Sequence, residues 1–434
     1  MEVPLNKTLT RMFTASTLIG ALALTGCAGG GSSKGGSGGN TTGVTDTSIL
    51  IGGHTALTGL LAPGLAVLPA AWDAYFNYVN DHGGVYGRKI DLRYADDAYS
   101  ATEAANVVRR LVQQDKVFAI FGGVGNGPHA AVLDFLSANG VPDLFPSGGA
   151  LQFNDPEKHP NTFGFQTDYV VESKIQTEWA LDNYPDAVYC AYGLEGDNTV
   201  QGLEGFKQAS GGKKPTSVQT FTAGSTNISA QVAALQQSDC GVVFVYSATG
   251  PIAQLVNESS KVGFHPQFVA NSSGSNAAAL VKLMNDPKDL EGFAATNYLP
   301  PVSDKSNPWV AAFAKIWDQY GSQDEFQPFA LYGLTQAYLL VAALQAAGPD
   351  LTREGLVEAM TETDFSQNPG TVPLVNTKDN HAGYIGGGVY QIKNGEYAPE
   401  TTLYTTGHNA DDPIEEIEPL NPPVPKDTIP NLTK

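Results

Sequence analysis

Gly125-Asn126-Gly127-Pro128-His129-Ala130 is the arrangement in this chain with the widest chemical reach. It matches GxGxxA after an apolar run and before a helical pattern, where a dinucleotide pyrophosphate could rest on backbone amides. Asp143 would stand for the ribose-binding acid, but it falls inside its own apolar run and not at the carboxyl end. The same unpaired N–H groups can take any carboxylate or polar ligand, and a plain tight turn that needs glycine is a third reading. The next turn carries Ser147, Gly148 and Gly149, where backbone amides can approach a ligand and a hydroxyl can add one bond. Further on, apolar runs end in Tyr192, Gly193 and Glu195, in Tyr246, Ser247 and Thr249, and in Asn271, Ser272 and Ser273. Ligands of open α/β sheets collect at the carboxyl ends of strands. These residues form a candidate binding set by converging on one edge.

Catalytic constellations are absent from the sequence. Residues 35–39 match GxSxG inside a Gly/Ser-rich stretch with no strand or helix to strain it. HExxH, clustered Cys/His spacing and GxxxxGK[ST] do not occur. The histidines are scattered, with His82 and His265 beside glycine or proline at element ends, which suits surface positions. Asp96-Asp97 reads as a helix-capping loop ahead of any acid–base pair or calcium site. No cofactor or metal is implied.

The start of the chain points to export. Lys7 and Arg11 precede an apolar segment at 13–24, and Leu24-Thr25-Gly26-Cys27 follows, which looks like a lipobox. That segment is shorter than the ~20 residues a spanning helix needs. Residues 1–26 are thus expected to be a lipoprotein signal peptide, with Cys27 lipidated and anchoring the protein to the outer face of the cell membrane. Residues 27–45 read as a flexible tether with a reach of ~23 Å. The 434 residues carry 44 Asp and Glu against 24 Lys and Arg, a formal charge of −20, so nucleic acid is an unsuitable partner. Cys190 sits late in the run 187–192, and Cys240 lies just before the run 241–246. As parallel neighbours they would be offset by several residues at ~3.3 Å each, beyond the reach of a disulfide. Two buried free thiols is the expectation.

From residue 49 short apolar runs alternate with amphipathic helical patterns, as in parallel sheets with helices on both faces. Strands are predicted at 49–52, 89–94, 117–121 and 141–145, then at 187–192, 217–221, 241–246 and 267–270. Leu68, Trp72, Tyr75, Phe76 and Val79 have the three-and-four spacing of a buried helix face. Ser100 with Glu103 makes a capping box, and Asn307 and Thr352 cap later helices. The acidic, Pro-rich stretch 411–434 is expected to be a poorly ordered tail or a surface strap.

Several ordered marks bring a family into view: Leu57-Thr58-Gly59, then Val79-Asn80-Asp81-His82-Gly83-Gly84-Val85-Tyr86-Gly87-Arg88-Lys89-Ile90, Asp96-Asp97, Arg110-Leu111-Val112 and Asn139-Gly140-Val141-Pro142. Over residues 49–398 the chain resembles the extracytoplasmic solute-binding lipoproteins of ABC importers, in the leucine-binding-protein-like branched-chain amino acid receptor group. The resemblance implies a type I periplasmic-binding-protein fold, two doubly wound α/β parallel-sheet lobes joined by three crossings near Gln166, Asn297 and Gly370. It implies lobes of 46–166 plus 298–370 and 167–297 plus 371–410. The implied activity is capture of a small solute by hinge closure and delivery to ABC permease subunits, by a monomer that is not an enzyme. A same-fold receptor for a signalling partner and an exported dinucleotide enzyme are the alternatives. The chain also departs from that group. The hydroxyl that would hold an amino-acid carboxylate falls at Asn126 or Gly127, and the acid that would hold its ammonium falls at Ser272. The expected aromatics fall at Gly64 and near Ala248 or Asn198. The ligand is therefore expected not to be a standard α-amino acid, unless Glu195 or Asp197 replaces the missing acid; small carboxylates, amides or aromatic acids suit the pocket better.

Overall fold

The computed structural model describes residues 39–59, 61–322 and 324–432. The expected signal peptide and Cys27 lie outside them. Of the expected tether, residues 40–45 are already docked: Asn40 N donates to the Glu354 carboxylate, Arg353 N donates to the Asn40 carbonyl, and Leu50 N donates to the Gly43 carbonyl. Backbone groups hold this segment, which is why apolar periodicity does not mark it.

Two sheets organise the body. The first is fully parallel, in the order Lys89–Asp96, Ser48–Thr55, Ala119–Phe121, Asp143–Leu144 and Thr162–Phe163. The second runs parallel from Ser217–Phe221 through Tyr189–Leu194, Val242–Tyr246 and Gln267–Ala270 to Ala294–Asn297, and then continues antiparallel through Gly386–Lys393 and Leu403–Thr405 to Glu415–Ile417. Helices cover both, and the chain is a two-lobed α/β protein. Leu68–Asp81 buries Trp72, Tyr75, Phe76 and Val79, the face its spacing predicts. Pro328–Ala347 is apolar on every side and buried along almost its whole length, as such a helix must be. Ser100 accepts from the Glu103 amide, and Asn307 and Thr352 cap their helices through side-chain oxygens.

The chain passes between the lobes three times, at 164–168, 298–307 and 363–385. Each pass contributes one aromatic to a common knot: Phe165, Tyr298 and Tyr384 have ring centroids 4.9–6.3 Å apart. Backbone bonds lash the passes together, from Tyr384 N to Phe165 O and from Thr371 N to Tyr298 O. Gly370 has to be glycine here, because a Cβ would stand 2.1 Å from the Tyr384 ring.

The acidic end is a strap. After pairing in the second sheet as Glu415–Ile417, it crosses back over the hinge. Leu420 N bonds Thr371 O, the Trp309 indole donates to Pro422 O, and the Tyr75 and Tyr78 hydroxyls donate to Thr428 and Asp427 carbonyls in the first lobe.

Cys190 and Cys240 form a disulfide, against the expectation of free thiols. The offset argument fails because Cys240 is not an extended continuation of its strand. Asp239 takes a left-handed turn, φ +53°, between the Ser229–Gln237 helix and Val242. That turn folds Cys240 over the sheet face to which Cys190 points, in the cluster shared with Val232, Leu235 and Val243. The bond spans 50 residues, so replacing both cysteines by alanine should lower stability by about 2–4 kcal/mol. Urea denaturation of the double variant against the oxidised parent measures this, and an unchanged midpoint would contradict a structural role.

Candidate functional site

The two lobes meet with their strand ends facing and the cleft shut. Leu61, from the loop after the first strand, is 3% exposed and belongs to the core of the second lobe with Tyr192, Ile252 and Ala277. Next to it Gly64 sits at φ +89°, where a Cβ would lie 3.1 Å from Thr249 Oγ1 across the cleft. Direct bonds bridge the lobes: Asn126 Nδ2 to Tyr169 Oη at 3.1 Å, Leu151 N to Gln201 Oε1 at 3.0 Å and Asn276 Nδ2 to Gln327 Oε1 at 2.9 Å.

The GxGxxA segment forms the first-lobe wall. Gly125, φ +98°, leaves room for the Tyr99 ring, which a Cβ would approach to 2.6 Å. Asn126 opens the Asn126–Ala138 helix and faces the cleft, whereas Gly127 is exposed. Ser147 also faces the cleft and accepts from Gln336 Nε2. Gly148 and Gly149 support the wall, packed on Asn126 Oδ1 and Thr167 O so closely that a Cβ would come within 2.4 and 2.5 Å.

On the other side Ser272 reaches the cleft, joined by Ser273 and Asn198. Ser247 and Asn271 are buried at their strand ends with side-chain polar atoms that make no hydrogen bond in the protein. Three expected residues lie elsewhere. Tyr192 stacks on Phe221 at 5.1 Å inside the second-lobe core. Tyr246 is locked by Ser173 and the Gly202 carbonyl. Both point from the sheet toward covering helices, because alternate strand residues face opposite sides. Glu195 is exposed and lines none of the cleft cavities among the described residues.

Residues that sequence reasoning passed over complete the site. A central cavity of about 40 Å³ lies between Leu65, Ser147, Gln166, Ser272, Phe329 and Tyr332. A second of about 40 Å³ lies toward Tyr99, Asn126 and Leu194. Gln166 Nε2 and Tyr332 Oη are buried there and make no hydrogen bond of good geometry, although Glu172 lies near the first and Ser147 and Tyr298 near the second. Glu172 stands directly behind Ser272, whose N and Oγ donate to its carboxyl at 2.7 and 2.5 Å. Burial pushes the Glu172 pKa up to about 8, against the opposing pull of the Ser272 bonds. Nothing in the local sequence marks Gln166, Glu172 or Tyr332 for the cleft, because elements far apart in the chain bring them together.

Beneath the first-lobe wall runs a fully buried chain of titratable groups. Asp97 Oδ2 contacts His54 Nδ1 at 2.6 Å, His54 Nε2 contacts His129 Nδ1 at 2.9 Å, and His129 Nε2 contacts Asp143 Oδ2 at 2.9 Å, where Thr162 also donates. Gly123 rests on both imidazoles, and a Cβ there would lie 2.1 Å from His129 Nδ1. Asp143 is thus a structural acid and not a ribose partner. Asp97 belongs to this chain, while Asp96 holds the Leu57–Thr58 loop. Burial pulls His54 below its ordinary pKa, more than its bond to Asp97 raises it.

This is the architecture of a type I periplasmic binding protein. The chain belongs to the periplasmic binding protein family, whose model matches residues 48–396. It is 24% identical over 321 residues to a Leu/Ile/Val-binding protein homolog of Brucella abortus, covering 72% of this chain and 82% of that one. Among solved structures it is similar to a fatty acid ABC transporter substrate-binding protein from Thermomonospora curvata, with TM-score 0.73, 20% identity and coverage of 85% and 95%. It is also similar to a branched-chain amino acid ABC transporter protein from Thermus thermophilus with bound valine, with TM-score 0.72, 18% identity and coverage of 83% and 97%.

Two outcomes test the site. His129→Ala leaves His54 and Asp143 buried without their shared partner, and should cost about 3–5 kcal/mol in denaturant unfolding. Glu172 is held neutral by the fold, so its contribution is fully present below pH 4.5 and is lost as pH rises through about 8. Glu172→Gln should therefore match the parent near pH 5 and exceed its thermal stability at pH 8; equal pH profiles for the two proteins would remove the argument.

Proposed function

We propose that this chain is the solute receptor of an ABC importer, held outside the cell membrane by a lipid on Cys27 and delivering its ligand to permease subunits. Residues 46–166 with 298–370 and residues 167–297 with 371–410 act as the two lobes, closing as a monomer about the three passes. Ligand adds contacts that exist only in the closed state, which is how a solute shifts such an equilibrium. No chemical step is required of it, and no cofactor.

One observation carries this reading: polar side chains from both lobes converge on a buried cleft, and Gln166 and Tyr332 keep hydrogen-bonding atoms unused there. Buried polar atoms without partners are costly, and a bound solute offsets that cost. Asn126, Ser147 and Ser272, backed by Gly148 and Gly149, are the contacts proposed for the ligand. Glu172 supports a ligand other than a standard α-amino acid, because its oxygens are occupied by Ser272 and its raised pKa leaves little negative charge for an ammonium. The branched-chain preference of the relatives' names is the competing expectation.

Native mass spectrometry of the purified receptor, followed by thermal shift with amino acids, amides and carboxylates, tests this directly. A retained small molecule and a strong shift with non-amino-acid members are expected. A response confined to leucine, isoleucine or valine would refute the ligand class. Cys27→Ala should move the protein from the membrane fraction to the soluble exported fraction.

A further inference from the structure

The central cavity has a larger neighbour with which it shares part of its wall. At Ser272, Phe329 and Tyr332 it adjoins a chamber of about 350 Å³ on the hinge side, walled by Ala278, Val281, Leu299, Val302, Phe326 and Tyr397. The two spaces differ in size and chemistry. The central one has room for about one water-sized group, at ~30 Å³ each, and brings the unpartnered Gln166 Nε2 and Tyr332 Oη together. The hinge-side one has room for roughly a dozen such groups and is lined mainly by apolar side chains, with Lys282, Glu325 and Glu396 among the remainder.

We propose that the ligand is an elongated amphiphile, with an uncharged oxygen acceptor at Gln166 and Tyr332 and an apolar body along the hinge-side chamber. This rests on the receptor reading above and names its substrate class. Both free groups can donate a hydrogen bond, so the ligand atom between them is an acceptor, as in an amide or ketone carbonyl. Among the described residues no Lys, Arg or His lines the central cavity. A ligand carboxylate would therefore be desolvated without a counter-charge, which is expensive. The chamber wall then gains by covering apolar surface, and each added methylene strengthens binding until the space is full.

The test is calorimetry of the full receptor, stripped of retained solute, with butanamide, hexanamide and octanamide, and with octanoate and leucine. Affinity should rise roughly tenfold for each two methylenes in the amide series, and octanamide should bind more tightly than octanoate. Ala278→Trp, which fills the chamber, should abolish the length dependence, and Gln166→Leu should weaken every amide at least fivefold. Val281→Trp repeats the block if Ala278→Trp does not fold. Affinity independent of length, preference for octanoate, no amide binding, or indifference to both tryptophans overturns the proposal. Leucine binding with the chamber variants unaffected would overturn it while leaving the receptor reading intact; absence of any retained solute and of any lobe closure across the panel would remove that reading as well.

Discussion

Phe165, Tyr298 and Tyr384 are the point on which the two lobes depend. Each comes from a different pass of the chain, and their edge-to-face and tilted packing is a contact that rotation need not break. A hinge made only of extended backbone would leave three loops free to move separately. Here the rings and the bonds between passes hold the three as a single cluster. Tyr332 extends the knot, with its ring 4.7 Å from Phe165 and its hydroxyl in the central cavity. Hinge and ligand cleft are therefore one packed unit.

The walls of the cleft are unequal in how they are held. The first-lobe wall lies on a buried series of carboxyls and imidazoles, with glycines at Gly123 and Gly125 where any side chain would collide. The second-lobe wall lies on Glu172 and the end of the Gln267–Ala270 strand. Among the described residues no charged side chain lines either of the two small cleft cavities. Discrimination between solutes must then come from shape and from hydrogen-bond matching, which penalise a wrong polar group more than a missing methylene.

Much of the architecture was legible because it is written in local patterns. Ser217–Phe221, Gln267–Ala270 and the buried face of Leu68–Asp81 fall where apolar runs or helical spacing put them, and the Ser100, Asn307 and Thr352 caps are used. What was not legible depends on distant residues. Nothing in the spacing of Glu172 separates it from a solvated helix acid, since only the fold sets Ser272 against it. His54 and His129 look solitary in sequence because their partnership spans two strands and a helix. The cysteine pair was misjudged because one left-handed residue, Asp239, redirects the chain. Tyr192 and Tyr246 sit at the right strand ends but on faces turned to helices, a parity that a strand-end argument alone does not settle.

The strap from Glu415 onward makes a fourth rope across the hinge. Rotating the lobes apart has to lengthen the path between the second sheet and the tyrosines at 75 and 78. The strap is already held at Leu420 by the Thr371 carbonyl and at Pro422 by the Trp309 indole, so little chain is free before bonds peel from the far lobe. In a receptor that closes by lobe rotation, such a leash would raise the cost of wide opening, so that part of the work of clasping would be done before a guest arrives. Binding strength then becomes adjustable from the outer surface, by residues that never meet the guest.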